Sequence, residues 1–144
     1  MSPDDVRRCG DDGIIEKIFK RVWRHAFFLM IHINVYIIHS MKRIQFIDTA
    51  KDDLSTFPQE AKRVAGFNLW RVQTGRMPAD WKPMPTVGQG AMEIRIHVEG
   101  AWRVIYVAKF EDAVYVLHAF QKKTQKTSQE DITLAARRYR QIGV

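Results

Sequence analysis

Glu93, Arg95 and His97 stand two residues apart within Met92–Val98, so on an extended chain all three project to one side. The alternate positions, Met92, Ile94, Ile96 and Val98, are apolar and face the other way, toward a core. Later segments add Arg103, Lys109 and His118, on a face that depends on strand register. The loop Gln121–Thr127 adds Lys122, Lys123 and Lys126. Cations gathered in this way suit a polyanion, because lysines meet phosphate as flexible point charges and serve any sequence equally. The plainer reading is a solvated outer sheet face with scattered charges. His97 and His118 carry the same two readings, since a strand histidine is more often a satisfied structural residue than a catalyst. Gly88-Gln89-Gly90 is too short for a nucleotide signature and reads as a turn. Trp70, Trp102 and Tyr106 read as core or loop anchors, whereas Trp81, between prolines, can be exposed and stack on a base.

The elements that must hold these residues follow from the pattern. Arg43–Asp48 alternates Ile44 and Phe46 with polar neighbours and predicts a short strand. Asp48 or Thr49 can cap a helix beginning at Ala50. Pro58 opens a second helix running to Thr74, with Gly75 as its stop. Residues 76–90 hold three of the five prolines and read as a loop. Met92–Val98, Trp102–Phe110 and Ala113–Phe120 are rich in Val, Ile, Tyr and Phe, with short polar turns at Glu99-Gly100 and Glu111-Asp112, and predict a three-strand antiparallel meander. Thr127 with Glu130 makes a capping-box pattern for a last helix, whose C-terminal end carries Arg137, Arg138 and Arg140, where cations suit the helix dipole. The expected fold class is α+β, an antiparallel sheet with two N-terminal helices and one C-terminal helix.

The first 40 residues differ. Residues 1–13 are polar, with the pairs Asp4-Asp5 and Asp11-Asp12, and an apolar run Ala26–Ile38 follows. That run falls well short of the ~20 residues needed to span a bilayer. Basic residues precede it, but no small-residue cleavage site follows, so it does not read as a signal peptide. Met41 begins "MKRIQFIDTAKDDL", like the start of a domain. Residues 1–40 are therefore expected to be an N-terminal extension, helical or arising from an upstream start codon, ahead of a domain at 41–144. No stable membrane association is expected, and the expected compartment is the cytoplasm.

The chain has 144 residues, enough for one core without disulfide or metal staples. Cys9 is its single cysteine, so no internal disulfide can form, and no paired Cys/His spacing suggests a metal site. The net charge of +7 favours polyanionic partners without choosing among nucleic acid, lipid and acidic protein.

Three spaced motifs carry a resemblance. These are the "E-I-R-I" strand at Glu93–Ile96, "G-A-W-R-V-I-Y" at Gly100–Tyr106, and "L-H-A-F-Q-K-K-T-Q-K-T" at Leu117–Thr127 before an acidic-first helix. In this order they resemble the phage-derived HigB-like branch of the RelE/ParE toxin superfamily, over residues 41–144. The resemblance implies a RelE-like fold with helices on an antiparallel sheet whose exposed face grips RNA. It also implies a toxin that cleaves mRNA on the ribosome without metal or cofactor, silenced by a cognate helix-turn-helix (HigA-like) antitoxin. Such cleavage uses the RNA 2′-hydroxyl as nucleophile. It needs a proton acceptor, cations for the charge-rich phosphorus centre and a proton donor to the leaving oxygen. Arg95 and Arg103 match basic strand positions of the superfamily and would stabilise the transition state. Lys122 or Lys123 would bind phosphate or protonate the leaving group, with Lys109 and Lys126 as further RNA contacts. Glu93 departs from the best-known RelE members, which carry a basic residue there. Glu93 and His118 are the two candidates for the proton acceptor, and Tyr139 is read as packing. Two other functions fit the sequence: a ParE-like toxin acting on a topoisomerase by protein contact, and a noncatalytic basic phage protein that binds nucleic acid.

Overall fold

In the computed structural model, which describes residues 12–143, the alternation around Ile94 becomes a strand next to one edge of a five-stranded sheet. Cys9, Asp4, Asp5 and Asp11 lie outside the described residues. The chain divides into two compact units, residues 1–40 and residues 41–144. In the first, α1 (Asp12–Ser40) is a single helix. Its His25 and His32 ring nitrogens lie 2.8 and 2.9 Å from carbonyl oxygens one turn earlier, a local structural use of both side chains. No helix among the described residues is long and apolar enough to cross a membrane.

The second unit contains β1 (Arg43–Phe46), α2 (Ala50–Ser55), α3 (Gln59–Gln73), β2 (Trp81–Pro83), β3 (Ala91–Ile96), β4 (Trp102–Val107), β5 (Ala113–Gln121) and α4 (Gln129–Arg140). The strand order is β1-β5-β4-β3-β2. The fold class is the one read from the sequence, and β3, β4 and β5 form the expected meander. The sheet differs at its two edges. β1 runs parallel to β5. Short turns force hairpin strands to be antiparallel, but β1 reaches its neighbour through two helices and three strands, so no turn constrains its direction. The other edge is β2, inside the segment read as a loop. It pairs antiparallel with β3, and its Pro83 is tolerated because an edge strand does not need every N–H.

The sheet buries apolar side chains on both faces. On one face, Ala61, Ala65, Leu69 and Val72 of α3 pack with Ile94, Ile96, Val104, Tyr106, Val114 and Val116. On the other, Ala135 of α4, with Met84 and Val87, packs with Ile105, Val107, Leu117 and Phe120. Every residue of β4 is buried as a result. The second face is therefore not the open surface expected, because α4 and the segment before β3 cover part of it. Gly88 permits that covering: a Cβ there would meet the Tyr139 ring at 2.6 Å. Tyr139 does pack, donating to the Gln89 carbonyl at 2.9 Å.

Helix ends follow the sequence with small shifts. Gly75, at φ +78°, closes α3 in the left-handed region. The N-cap of α4 is Ser128, not Thr127: its hydroxyl accepts from the Asp131 N–H at 3.1 Å and donates to the Asp131 carboxylate. The serine–aspartate pair one residue on satisfies the helix N-terminus as well as the threonine–glutamate pair would, and Thr127 is left for another partner.

Candidate active site

Register decides which of the candidate residues meet. Arg95 pairs directly with Arg103, and Arg103 with Phe120. Glu93 pairs with Ile105, and Ile105 with His118. Directly paired residues point to the same face, so Glu93, Arg95, Arg103 and His118 all lie on the face that α4 partly covers. Two arginines directly opposite each other destabilise a sheet unless neighbours offset them. Here Asp80 lies 3.0 Å from the Arg95 Nε, and Glu93 Oε1 lies 3.4 Å from the Arg103 Nε.

Glu93 is the centre of the group. It is fully buried, at 0% exposure. A carboxylate so placed needs charge partners and donors. Its Oε2 accepts from the Thr127 hydroxyl at 3.0 Å. Its Oε1 lies between Arg103 Nε and Lys82 Nζ, the latter at 3.6 Å, with no hydrogen bond to either. Arg103 is buried too, and its Nη1 donates to the Trp102 carbonyl at 2.8 Å. Burial lowers the Arg103 pKa, and Glu93 acts in the opposite direction.

Lys122 completes the cluster. Its backbone N–H donates to the Ala101 carbonyl at 2.7 Å, which fixes where the loop leaves β5. Burial lowers its pKa first, then the positive charges of Arg103 and Lys82, with Glu93 opposing and Arg95 adding. Lys122 thus shares one electrostatic environment with all four of those side chains.

The other candidates go elsewhere. His118 Nε2 lies 2.8 Å from Asp131 and its Nδ1 3.4 Å from Asp53, while its ring stacks on Phe120. Its side chain is only 9% exposed. Asp53 also accepts from Arg138 at 2.9 Å, so His118 belongs to a network tying α2 to α4. Lys109 donates to the Tyr139 hydroxyl at 2.9 Å and lies over the Phe110 ring. Lys123 and Lys126 are exposed on the loop. His97 is exposed and sits 3.2 Å from Asp80. Trp81 is half-buried in β2.

Sequence reasoning missed Lys82, Asp80 and Thr127 as members of the cluster. Lys82 and Asp80 lie in the proline-rich segment taken as a loop. The signal available was a Trp-Lys-Pro triplet, which can be a short edge strand because proline is allowed there. Thr127 also fits a helix cap, with Glu130 three residues on.

Comparison with known proteins bears on this geometry. The family model of phage-derived Gp49-like proteins matches residues 52–140. Among solved structures, a double-arginine mutant of the E. coli toxin RelE in the free state matches with a TM-score of 0.53 at 15% identity. The match covers 68% of this chain and 97% of that one, and it shows a shared, RelE-like fold. No curated protein matches the sequence.

Proposed function

This chain belongs to the phage-derived Gp49-like family, and we propose that it is the toxin of a type II toxin–antitoxin pair, a metal-free endoribonuclease that cuts mRNA on the ribosome. The observation that carries this reading is the convergence of Arg95, Arg103 and Lys122 around a buried carboxylate on a RelE-like sheet. With Lys82, four cations lie close together, which costs stability, and sites that break a structural rule in this way are most often functional.

In the reaction, the RNA 2′-oxygen attacks the adjacent phosphorus. The 2′-O–P bond forms and the P–O5′ bond breaks, leaving a 2′,3′-cyclic phosphate and a 5′-hydroxyl. Arg95, at the surface, holds the phosphate oxygens, and Arg103 adds positive potential from the floor of the site, where low dielectric strengthens it. Lys122, whose lowered pKa eases proton release, protonates the leaving 5′-oxygen. Burial and existing partners remove Glu93 and His118 from direct exchange with the RNA, so water takes the 2′-proton. Lys123 and Lys126, exposed on the loop, and Lys109 guide the backbone of the mRNA. We assign the activity to residues 41–144, acting in the cytoplasm, with a helix-turn-helix antitoxin of the HigA type as inhibitor.

The test is a translation reaction in vitro, with and without the protein, followed by mapping of mRNA ends. Cuts within translated mRNA ending in 2′,3′-cyclic phosphate, lost in Arg103→Ala, are expected. Intact mRNA accompanied by DNA damage in expressing cells would instead favour the ParE-like activity. Intact mRNA without DNA damage would favour simple nucleic-acid binding.

A further inference from the structure

The charges around Glu93 do not balance. One buried carboxylate faces both Arg103, at 3.4 Å, and Lys82, at 3.6 Å, and Thr127 already donates a hydrogen bond to its other oxygen. Arg103 alone neutralises Glu93, and Arg103 is itself buried, as a structural ion pair would be. Lys82 is therefore surplus to the stability of the pair. Unlike Arg103, its side chain is 38% exposed. It sits on edge strand β2, directly opposite Glu93 in the register. An ammonium has three donors, and at 3.6 Å from Glu93, with no hydrogen bond to it, Lys82 keeps donors free for a further anion.

Resting on the endoribonuclease reading above, we propose that Lys82 is a phosphate-contacting catalytic residue of this site and that Glu93 is the positioning residue that sets Lys82 beside Arg103. Lys82 binds a nonbridging oxygen of the phosphate under attack, where negative charge grows as the 2′-O–P bond forms, and transfers no proton. Glu93 acts through the cations. Its charge lets Lys82, Arg103, Arg95 and Lys122 approach one another, and its burial holds their common counter-charge in place. A general base would need a path from the carboxylate to the 2′-hydroxyl, and the two oxygens of Glu93 already face Thr127, Lys82 and Arg103.

Two assays on the full chain decide this. The first is single-turnover cleavage of mRNA on translating ribosomes. The second is equilibrium binding, across a salt series, to a 2′-O-methyl RNA, which no 2′-hydroxyl mechanism can cut. Lys82→Ala is expected to slow cleavage about 10²-fold, the usual cost of one transition-state charge donor. It should also reduce the slope of log affinity against log salt by about 0.7, the value for one phosphate contact on a single strand. Lys82→Arg recovers most of the rate, and Lys51→Ala, an exposed lysine of α2, changes neither measurement. Glu93→Gln moves the alkaline limb of the cleavage profile to lower pH, because Glu93 raises the Lys122 pKa. Glu93→Asp keeps the charge and leaves the limb in place. A Lys82→Ala protein that cuts and binds like the wild type overturns the role of Lys82 while the endoribonuclease reading stands. A wild type that cuts nothing sinks that reading, and the salt slope still decides whether Lys82 holds phosphate. Loss of the acidic limb in Glu93→Gln, with the alkaline limb unmoved, makes Glu93 a base and overturns its positioning role.

Discussion

The Thr127 hydroxyl donates a 3.0 Å hydrogen bond to the buried Glu93 carboxylate, joining the basic loop after β5 to the strand that carries Arg95. The bond ties together two parts of the candidate site that lie 34 residues apart. It is available because Ser128, not Thr127, caps α4.

Thr127→Val removes this donor while keeping the shape. A hydrogen bond to a buried charge contributes roughly 1.5–3 kcal/mol, so urea unfolding should show a loss of that order. Thr127→Ser should recover most of it. Cleavage by Thr127→Val should fall as well, since the loop that carries Lys122 loses its anchor.

Arg138, one of three cations at the dipole-favoured end of the last helix, is 3% exposed. Its guanidinium donates to Asp53 at 2.9 Å, to the Leu117 carbonyl at 2.9 Å and to the Thr49 hydroxyl at 2.6 Å. Removing one partner of a buried charged network costs about 3–5 kcal/mol. Arg138→Met should therefore destabilise the protein by that order in chemical denaturation. Arg137→Ala, on the exposed side of α4, should stay within about 0.5 kcal/mol of wild type.

The lowered pKa of Lys122 gives a pH signature. Burial, Arg103 and Lys82 all disfavour its charged form, so it loses its proton below the usual lysine value of about 10.4. As proton donor it must be charged, so cleavage should fall as pH rises through that lowered value. Lys122→Arg, which stays charged at any accessible pH and so gives up no proton, should slow cleavage throughout, and the residual cleavage should lack this alkaline limb. A limb that persists in Lys122→Arg would assign it to another group.

Tyr106 packs on the face of the sheet opposite the site. It is 2% exposed, and burial pushes its hydroxyl up to about 12 from an ordinary value near 10. A pKa raised in the folded state means stability that is complete below the unfolded value and is lost as pH rises through the folded one. Stability should thus decline between about pH 10 and 12, and Tyr106→Phe should lessen that decline. Melting temperature against pH for the two proteins measures the difference.

The period-two pattern at Glu93, Arg95 and His97 placed three polar side chains on one face, and the structure keeps them there. The meander, the two helices before it and the glycine that ends α3 were also readable, because each rests on local propensity or on turns of a few residues. Lys82 was hidden because a three-residue strand containing proline has no period to detect. The partners of Arg138 were hidden because an arginine late in a helix satisfies the dipole whether it is exposed or buried. The role of Thr127 was hidden because two overlapping caps fit the same sequence.

By itself, then, the sequence determined the element types, the polar and apolar faces of β3, and the basic loop, since these depend on neighbours a few residues apart. Only the tertiary structure decided that Arg103 pairs opposite Arg95 and that His118 joins Asp53 and Asp131 instead. It also decided that Glu93, read from alternation as one of three outward polar residues, is the buried counter-charge of the cluster. The reason is physical: alternation says which side of a strand a residue takes, but whether that side meets water depends on a helix and a loop contributed by distant parts of the chain.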